Sequence, residues 1–266
     1  MSAGAFLRVF LKYIAIVPSW LVNIKPSRAS ILAYHRVEQH SDSEFDISKH
    51  VFYKQMAVLA NSKRVLSLGE LLHGNAGGDR RHRVVITFDD ACDDFYRVVY
   101  PILKKLNVPA TLYVPAGFID SPDKFPLGKY RPCSWAMLDE LSRCPLITIA
   151  SHAFSHQSLL YLSEQDVRSE LVHSKALIER QISKPVKHFA WPYGHYDLVR
   201  ERIAEEIYES VALFGGGSIR GELSTKRLPR VSIRRSDKMF WFRLKYMGFL
   251  DFEDIIRDCF KRFLKK

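Results

Sequence analysis

The chain has no glycine-rich phosphate loop, no zinc-finger spacing and no nucleic-acid module, although 40 Lys and Arg against 29 Asp and Glu leave a net charge of +11. That excess points to an anionic partner, acidic lipid, phosphorylated glycan or nucleic acid, and without a recognisable module the last is not expected. Cysteine is scarce. Cys92, Cys133, Cys144 and Cys259 show no paired spacing, which speaks against a disulfide framework and for free thiols in a reducing compartment. Cys92, two residues after Asp90, reads as a small apolar packing residue rather than a soft-metal ligand. Gly215-Gly216-Gly217 fits no dinucleotide fingerprint and reads as a turn. Internal repeats and long linkers are also missing. One domain with two arms is therefore the simplest division: a barrel over 29–235 between arms at 1–28 and 236–266.

What is present is globular: 266 residues, 47% apolar and 26% charged. Short β-rich runs alternate with helical patterns. The candidate strands are Ser30–Tyr34, Val84–Phe88, Ala110–Val114, Leu146–Ala150, His188–Trp191, Val211–Phe214 and Leu228–Ile233. Helical spacing falls near 47–60, 93–106, 135–142, 163–183 and 196–208. That order favours a parallel α/β sheet with helical crossovers, and seven strands without a glycine-rich first turn tilt it toward a closed barrel.

Both ends are amphipathic. Residues 1–24 are apolar and aromatic but interrupted by Arg8 and Lys12, so they match neither a spanning helix of about 20 uncharged residues nor a cleaved export signal. As a helix they set Arg8 and Lys12 on one face, with Phe6, Phe10, Tyr13, Val17 and Trp20 elsewhere. Two readings stay open, an interfacial membrane helix and a helix packed on the barrel. The C-terminal stretch Met239–Tyr246 mixes aromatics with cations. Ile255, Ile256, Cys259, Phe260, Phe263 and Leu264 then recur at helical spacing opposite Arg257, Lys261, Lys265 and Lys266. Such ends suit an anionic membrane surface. The expectation is peripheral attachment at the cytoplasmic face of the inner membrane; the alternative is a periplasmic or exported protein with an uncleaved leader.

The chemistry sits at strand ends. Asp89 and Asp90 close the run Val84-Val85-Ile86-Thr87-Phe88, and His152 and His156 follow Leu146-Ile147-Thr148-Ile149-Ala150. An aspartate and two histidines can hold a divalent cation with positions left open, and the second aspartate is then free to take a proton. In parallel α/β proteins chemistry gathers at the carboxyl ends of strands, where the loops converge. Ala153 after the first histidine, where a helix-borne metalloprotease carries Glu, disfavours that class.

Thr87-Phe88-Asp89-Asp90, Ser151-His152-Ala153-Phe154-Ser155-His156 and Trp191-Pro192-Tyr193-Gly194 come in the order and approximate spacing of the polysaccharide deacetylase family, the NodB-like carbohydrate esterases, which the chain resembles over about 29–235. The resemblance implies a distorted (β/α)7 barrel that removes N-acetyl groups from amino sugars with a divalent metal, usually Zn2+. By motif, Asp90, His152 and His156 are the implied metal ligands and Asp89 the general base. The backbone N–H of Tyr193 is the implied oxyanion donor, and Trp191, Pro192 and Arg230 are candidate substrate contacts.

Several family features are altered. Ala91 stands where Gly commonly follows the aspartates, and Ala153 where Ser or Thr follows the first histidine. Ala190 replaces the arginine that orients the base, for which Arg230 is the candidate substitute. The late Leu-x-His motif is missing. Tyr34-His35 closing the first strand resembles the circularly shifted poly-N-acetylglucosamine deacetylase subgroup, so His35 is the expected general acid; His195 is a weaker candidate that more readily helps start the next helix. The resemblance thus implies an N-deacetylase acting on an N-acetylhexosamine in lipopolysaccharide, exopolysaccharide or a lipid-linked precursor. Two alternatives stay open: a catalytically silent barrel that binds glycan or membrane, and an amidohydrolase with a non-sugar substrate. The oligomeric state is not fixed by the sequence.

Overall fold

The computed structural model describes residues 10, 12–15, 27–38, 41–74, 82–119, 121, 123, 125, 130–253 and 256. Seven parallel strands close into a barrel in the order β1 (Ala29–Tyr34), β4 (Arg83–Phe88), β5 (Ala110–Val114), β6 (Ile147–Ser151), β7 (His188–Ala190), β8 (Ser210–Gly216) and β9 (Leu228–Ser232). All seven expected strands are there, with no end shifted by more than two residues. The ring shuts where β9 pairs back onto β1 through Leu32 with Val231 and Ala33 with Ser232. A small parallel ribbon, β2 (Arg36–Val37) with β3 (Asp46–Ile47), follows β1.

Parallel strands covered on both faces need apolar side chains on both faces, so they read as unbroken runs. The two faces nevertheless belong to different layers. Leu32, Ile86, Leu112, Ile149, Phe189 and Val211 pack outward beneath the helices. Ile31, Val85, Tyr113, Ala150, Ala190 and Ala212 fill the barrel interior. Successive strand residues alternate between faces. Four residues on from Val85, past Thr87, and two on from Ala150, that alternation aims Asp89 and His152 at the mouth of the barrel. Three of the six interior residues are alanine, which leaves room for larger groups reaching in from other strands.

The helices are α1 (Lys49–Ser62), α2 (Leu68–Leu72), a π-turn at Phe95–Val99 continued by α3 (Tyr100–Leu106), α4 (Trp135–Arg143), α5 (Glu164–Ile182), α6 (Leu198–Ile207) and α7 (Met239–Tyr246). Side-chain oxygens of Ser48, Ser134, Ser163 and Asp197 accept backbone N–H groups at the starts of α1, α4, α5 and α6, and each such cap is worth about 1 kcal/mol. The glycine tract is not a plain turn. Gly215 and Gly216 end β8, where the pairing with β9 slips between Ala212 and Gly216, and their φ of 85° and 92° is backbone that favours glycine.

The N-terminal expectation needs correction. Arg8, Phe6, Val17 and Trp20 lie outside the described residues, but Lys12 is fully buried, while Phe10 and Tyr13 are 52% and 59% exposed. The cation turns inward because Asp237 pairs with it and Glu253 lies within 3.7 Å. In the C-terminal segment, Phe242 and Tyr246 of α7 join the main core, so this stretch packs as a barrel helix. The helical pattern expected for Ile255, Cys259, Phe260, Phe263 and Leu264 lies outside the described residues.

His188 on β7 is buried, with Nδ1 2.9 Å from Ser210 Oγ. Burial pulls its pKa down to about 4. The unfolded chain therefore binds this proton near pH 6.5 and the folded chain only near pH 4. Stability is full above 6.5 and is lost as pH falls between the two values. Going from pH 7 to pH 5 is expected to cost about 2 kcal/mol through this group. His188→Gln should flatten the dependence by that amount in denaturant titrations at the two pH values; an unchanged slope would remove His188 as the cause.

Candidate metal centre

Asp90, His152 and His156 come together at the barrel mouth, each buried and each offering a ligand atom within 4.8 Å of the others. His156 Nε2 lies 3.2 Å and His152 Nε2 3.9 Å from Asp90 Oδ1. His152 Nδ1 sits 2.8 Å from the carbonyl of Ala190. That bond makes Nδ1 the protonated nitrogen and leaves the Nε2 lone pair facing the cluster, an arrangement typical of ligating histidines. One carboxylate and two imidazoles converging on one point fit a divalent ion such as zinc.

Electrostatics agree with that donor set. Burial raises the Asp90 carboxyl, but the hydrogen bond from His156 and the charges of His35, His156 and His152 more than offset it, so its pKa lies well below the ordinary carboxylate value. Burial lowers His152 to about 4. Both ligands are therefore in their metal-binding protonation states at neutral pH.

Asp89 stands beside the triangle as the spare carboxylate. Arg230, fully buried on β9, grips it with both arms: Nη1 donates to Oδ1 at 2.6 Å and Nη2 to Oδ2 at 2.9 Å. Arg230 Nε donates to the Leu213 carbonyl at 2.6 Å, and its guanidinium lies 5.3 Å from the centre of the Tyr113 ring. Burial pushes Asp89 upward, and the charge of Arg230, with that of His152, carries it below the usual range. Ala190 leaves the space, and Arg230 reaches across from two strands away. Arg230 thus holds Asp89 from the place where the missing arginine is expected to act, and it is no surface for a substrate, because its guanidinium is sealed from solvent.

His35 Nε2 lies 3.9 Å from Asp89 Oδ2, and its ring is flanked by Phe45 and Phe214 at 4.5 and 6.0 Å. Burial lowers its pKa. Tyr193 is 55% exposed, and its ring centre is 5.1 Å from that of His156. Trp191 and Pro192 are not at the surface. Trp191 is 1% exposed between Phe189 and Tyr196, and Pro192 is buried, so neither offers a surface to a substrate; they anchor the turn that presents Tyr193. His195 Nδ1 sits 3.1 Å from Ser158 Oγ, and Asp197 rather than His195 caps α6.

The loops around the site are held in costly backbone. Asp90, Ala91, Ala153, His156 and Tyr193 all have φ between 49° and 73°, a region that costs a non-glycine residue roughly 1–2 kcal/mol. Ala91 thus occupies a left-handed position that suits the family's glycine. Gly194 is required outright: a Cβ there would sit 2.6 Å from Phe214 Cβ.

Two supporting residues gave no sequence signal. Glu170 on α5 accepts the backbone N–H groups of Phe154 and Ser155 at 3.1 and 2.9 Å. Ser174, one turn later, donates to the Ala153 carbonyl at 3.0 Å. Their spacing of four places them on one helical face, but nothing in the sequence says that this face meets the histidine loop. Arg36 is a third, with Nη1 3.9 Å from Asp90 Oδ2 and its guanidinium over Tyr130 at 4.6 Å.

Removing one partner of a buried fork leaves the other charged and unpaired. Arg230→Met is expected to destabilise the fold by about 3–5 kcal/mol, and adding Asp89→Asn should restore part of that. Additive losses in a double-mutant cycle by denaturant unfolding would show that the two groups do not depend on each other.

A family model described as polysaccharide deacetylase matches residues 76–208, half of the chain. The chain is 27% identical over 191 residues to the "Putative polysaccharide deacetylase YxkH" of Bacillus subtilis (strain 168), a match covering 71% of this chain and 64% of that protein. It is 26% identical over 201 residues to the "Poly-beta-1,6-N-acetyl-D-glucosamine N-deacetylase" of Staphylococcus aureus (strain MRSA252), covering 66% and 68%. The chain thus spans about two thirds of the length of these curated relatives. Two solved structures share the fold: the Streptococcus pyogenes deacetylase PplD in complex with acetate (TM-score 0.73, 23% identity, 83% of this chain and 99% of that one) and IcaB from Ammonifex degensii (TM-score 0.73, 20% identity, 86% and 100%). The matched segment carries both aspartates, both histidines and the turn at Tyr193, and on that match the chain belongs to the polysaccharide deacetylase family.

Proposed function

We propose that the protein is a metal-dependent N-deacetylase that hydrolyses the acetamide of an N-acetylhexosamine in a cell-surface polysaccharide. The observation that carries this reading is the Asp90–His152–His156 triangle with a second, arginine-held carboxylate beside it. The staphylococcal relative, a poly-beta-1,6-N-acetyl-D-glucosamine N-deacetylase by name, supports the substrate class. An exopolysaccharide is the first candidate; lipopolysaccharide and lipid-linked precursors are the others.

Asp90, His152 and His156 would hold a divalent cation, for which zinc suits the donors, and when bound it would supply Lewis acidity. The chain's own groups do the rest. Asp89 accepts the proton of the attacking water; its fork to Arg230 keeps it ionised at neutral pH and fixes the direction of both oxygens. His35, beside Asp89, delivers a proton to the departing nitrogen, which leaves poorly as an anion. Phe45 and Phe214 keep bulk water from its ring. The backbone N–H of Tyr193 meets the developing oxyanion; a donor of this kind is worth about 3 kcal/mol.

Asp89→Asn should cut acetate release from N-acetylglucosamine oligomers by about 10²–10⁴-fold while zinc content by elemental analysis stays at the wild-type level. His152→Ala should lose metal and activity together, and chelation followed by zinc should remove and restore wild-type turnover. Full activity in Asp89→Asn would refute the base assignment. Release of acetate from simple acylamides but from no amino sugar would move the enzyme to a non-glycan substrate.

A further inference from the structure

The turn around Lys12 has the opposite polarity to a solvent-facing amphipathic helix: its cation points in and its aromatics point out. Lys12 Nζ pairs with Asp237, and Lys245 Nζ bonds Asp237 Oδ2 at 2.8 Å, Glu253 Oε2 at 2.9 Å and the Ser232 carbonyl at 2.9 Å. Two buried cations and two buried carboxylates balance one another. Breaking such a cluster is costly because a lone charge is left behind, so the N-terminal turn is locked onto α7 and onto the end of β9. Ala15, Trp241 and Leu250 pack beneath it.

The same locking turns Phe10, Tyr13 and Ile14 outward at 52%, 59% and 38% exposure, alongside Phe240 at 61%, Met247 at 39% and Phe249 at 43%. The Tyr13 and Phe240 rings flank Trp241 at 4.9 and 5.1 Å, which joins the two segments into one apolar ridge. Exposed apolar side chains grouped in this way mark a contact site.

We infer that this ridge docks the protein onto an anionic phospholipid bilayer, lying in the interface plane. Charge selects this occupant. Lys238 and Arg243 are exposed on the ridge with no carboxylate partner among the described residues. Among the described residues, the nearby carboxylates are spent internally: Asp237 and Glu253 in the buried cluster, and Asp251 on Arg220 at 2.8 Å. The sequence before Glu38 contains no acidic residue, and residues 254–266 carry five cations against two acids. A second copy meeting this face two-fold would bring like charges together, whereas anionic lipid attracts them. Aromatic rings interleaved with Lys and Arg are the side chains that settle at headgroup depth. Among the described residues no helix is long and apolar enough to cross a membrane, so the contact is with the surface of the bilayer. The inference stands independently of the chemistry assigned to the barrel mouth.

The test is co-sedimentation of the purified full chain with sucrose-loaded vesicles of phosphatidylcholine, with or without phosphatidylglycerol. Wild-type protein should partition roughly tenfold more strongly onto the anionic vesicles, and high salt should remove the difference. Tyr13→Ser with Phe240→Ser should lower partitioning about tenfold. Lys238→Glu with Arg243→Glu, at exposed positions that leave the fold intact, should abolish the preference for phosphatidylglycerol; if the aromatic pair does not fold, this charge pair decides. Absence of wild-type binding, or equal binding by the folded variants, overturns the proposal. So does a concentration-dependent dimer in light scattering that the variants dissolve, because a second copy would then be the occupant.

Discussion

A carboxylate buried inside a β-barrel stays ionised only if something equally buried holds it. Here that partner is Arg230, and the two-point geometry of its fork matters as much as its charge, because a guanidinium bonding both oxygens fixes the plane of the carboxylate. The rest of the site depends on this. With Asp89 held, Asp90 is left to face the histidines, and the left-handed backbone at Asp90 and Ala91 turns the two adjacent side chains to different tasks. The fork also explains the interior composition. Tyr113 supports the guanidinium from one side, and the alanines at 150, 190 and 212 keep the bore open for it.

The site residues that could be read from the sequence were those at the ends of apolar runs, because strand periodicity carries them to the mouth without further help. Asp89, Asp90, His152 and His156 belong to this class, and His35 follows the same logic at the end of β1. Glu170 and Ser174 were not legible, since their partners are backbone groups of a loop and such pairing imposes no sequence spacing. The replacement of the arginine missing at 190 was visible only as a candidate. What brings Arg230 to Asp89 is the strand order, which sets β7, β8 and β9 side by side with Ala190 beside Ala212 and Ala212 beside Leu228. Trp191 misled for a plain reason: an aromatic in a site motif looks like a contact surface, yet here it is the wedge behind the turn.

The fold was similarly uneven in legibility. Strands buried on both faces announce themselves as runs, and all seven did. The ribbon of β2 and β3 has two residues per strand, too few to show a period, although it sets Arg36 beside Asp90. At the chain ends, helical spacing identified amphipathic character but not its orientation. A lysine is ordinarily taken as the wet side of a helix; only the carboxylates of Asp237 and Glu253, over 200 residues away in sequence, reverse that assignment for Lys12.

The joint between β6 and β7 is the thinnest in the barrel wall, with one paired position, Ser151 with Phe189. His152 stitches across it. Its backbone N–H donates to Val114 on β5, and its ring reaches the Ala190 carbonyl on β7. The imidazole that aims a lone pair at the triangle is therefore also a rung of the wall. Aim and closure share a single bond, so any loosening of that joint would misdirect a ligand, and any group gripping the ligand from within would brace the staves around it.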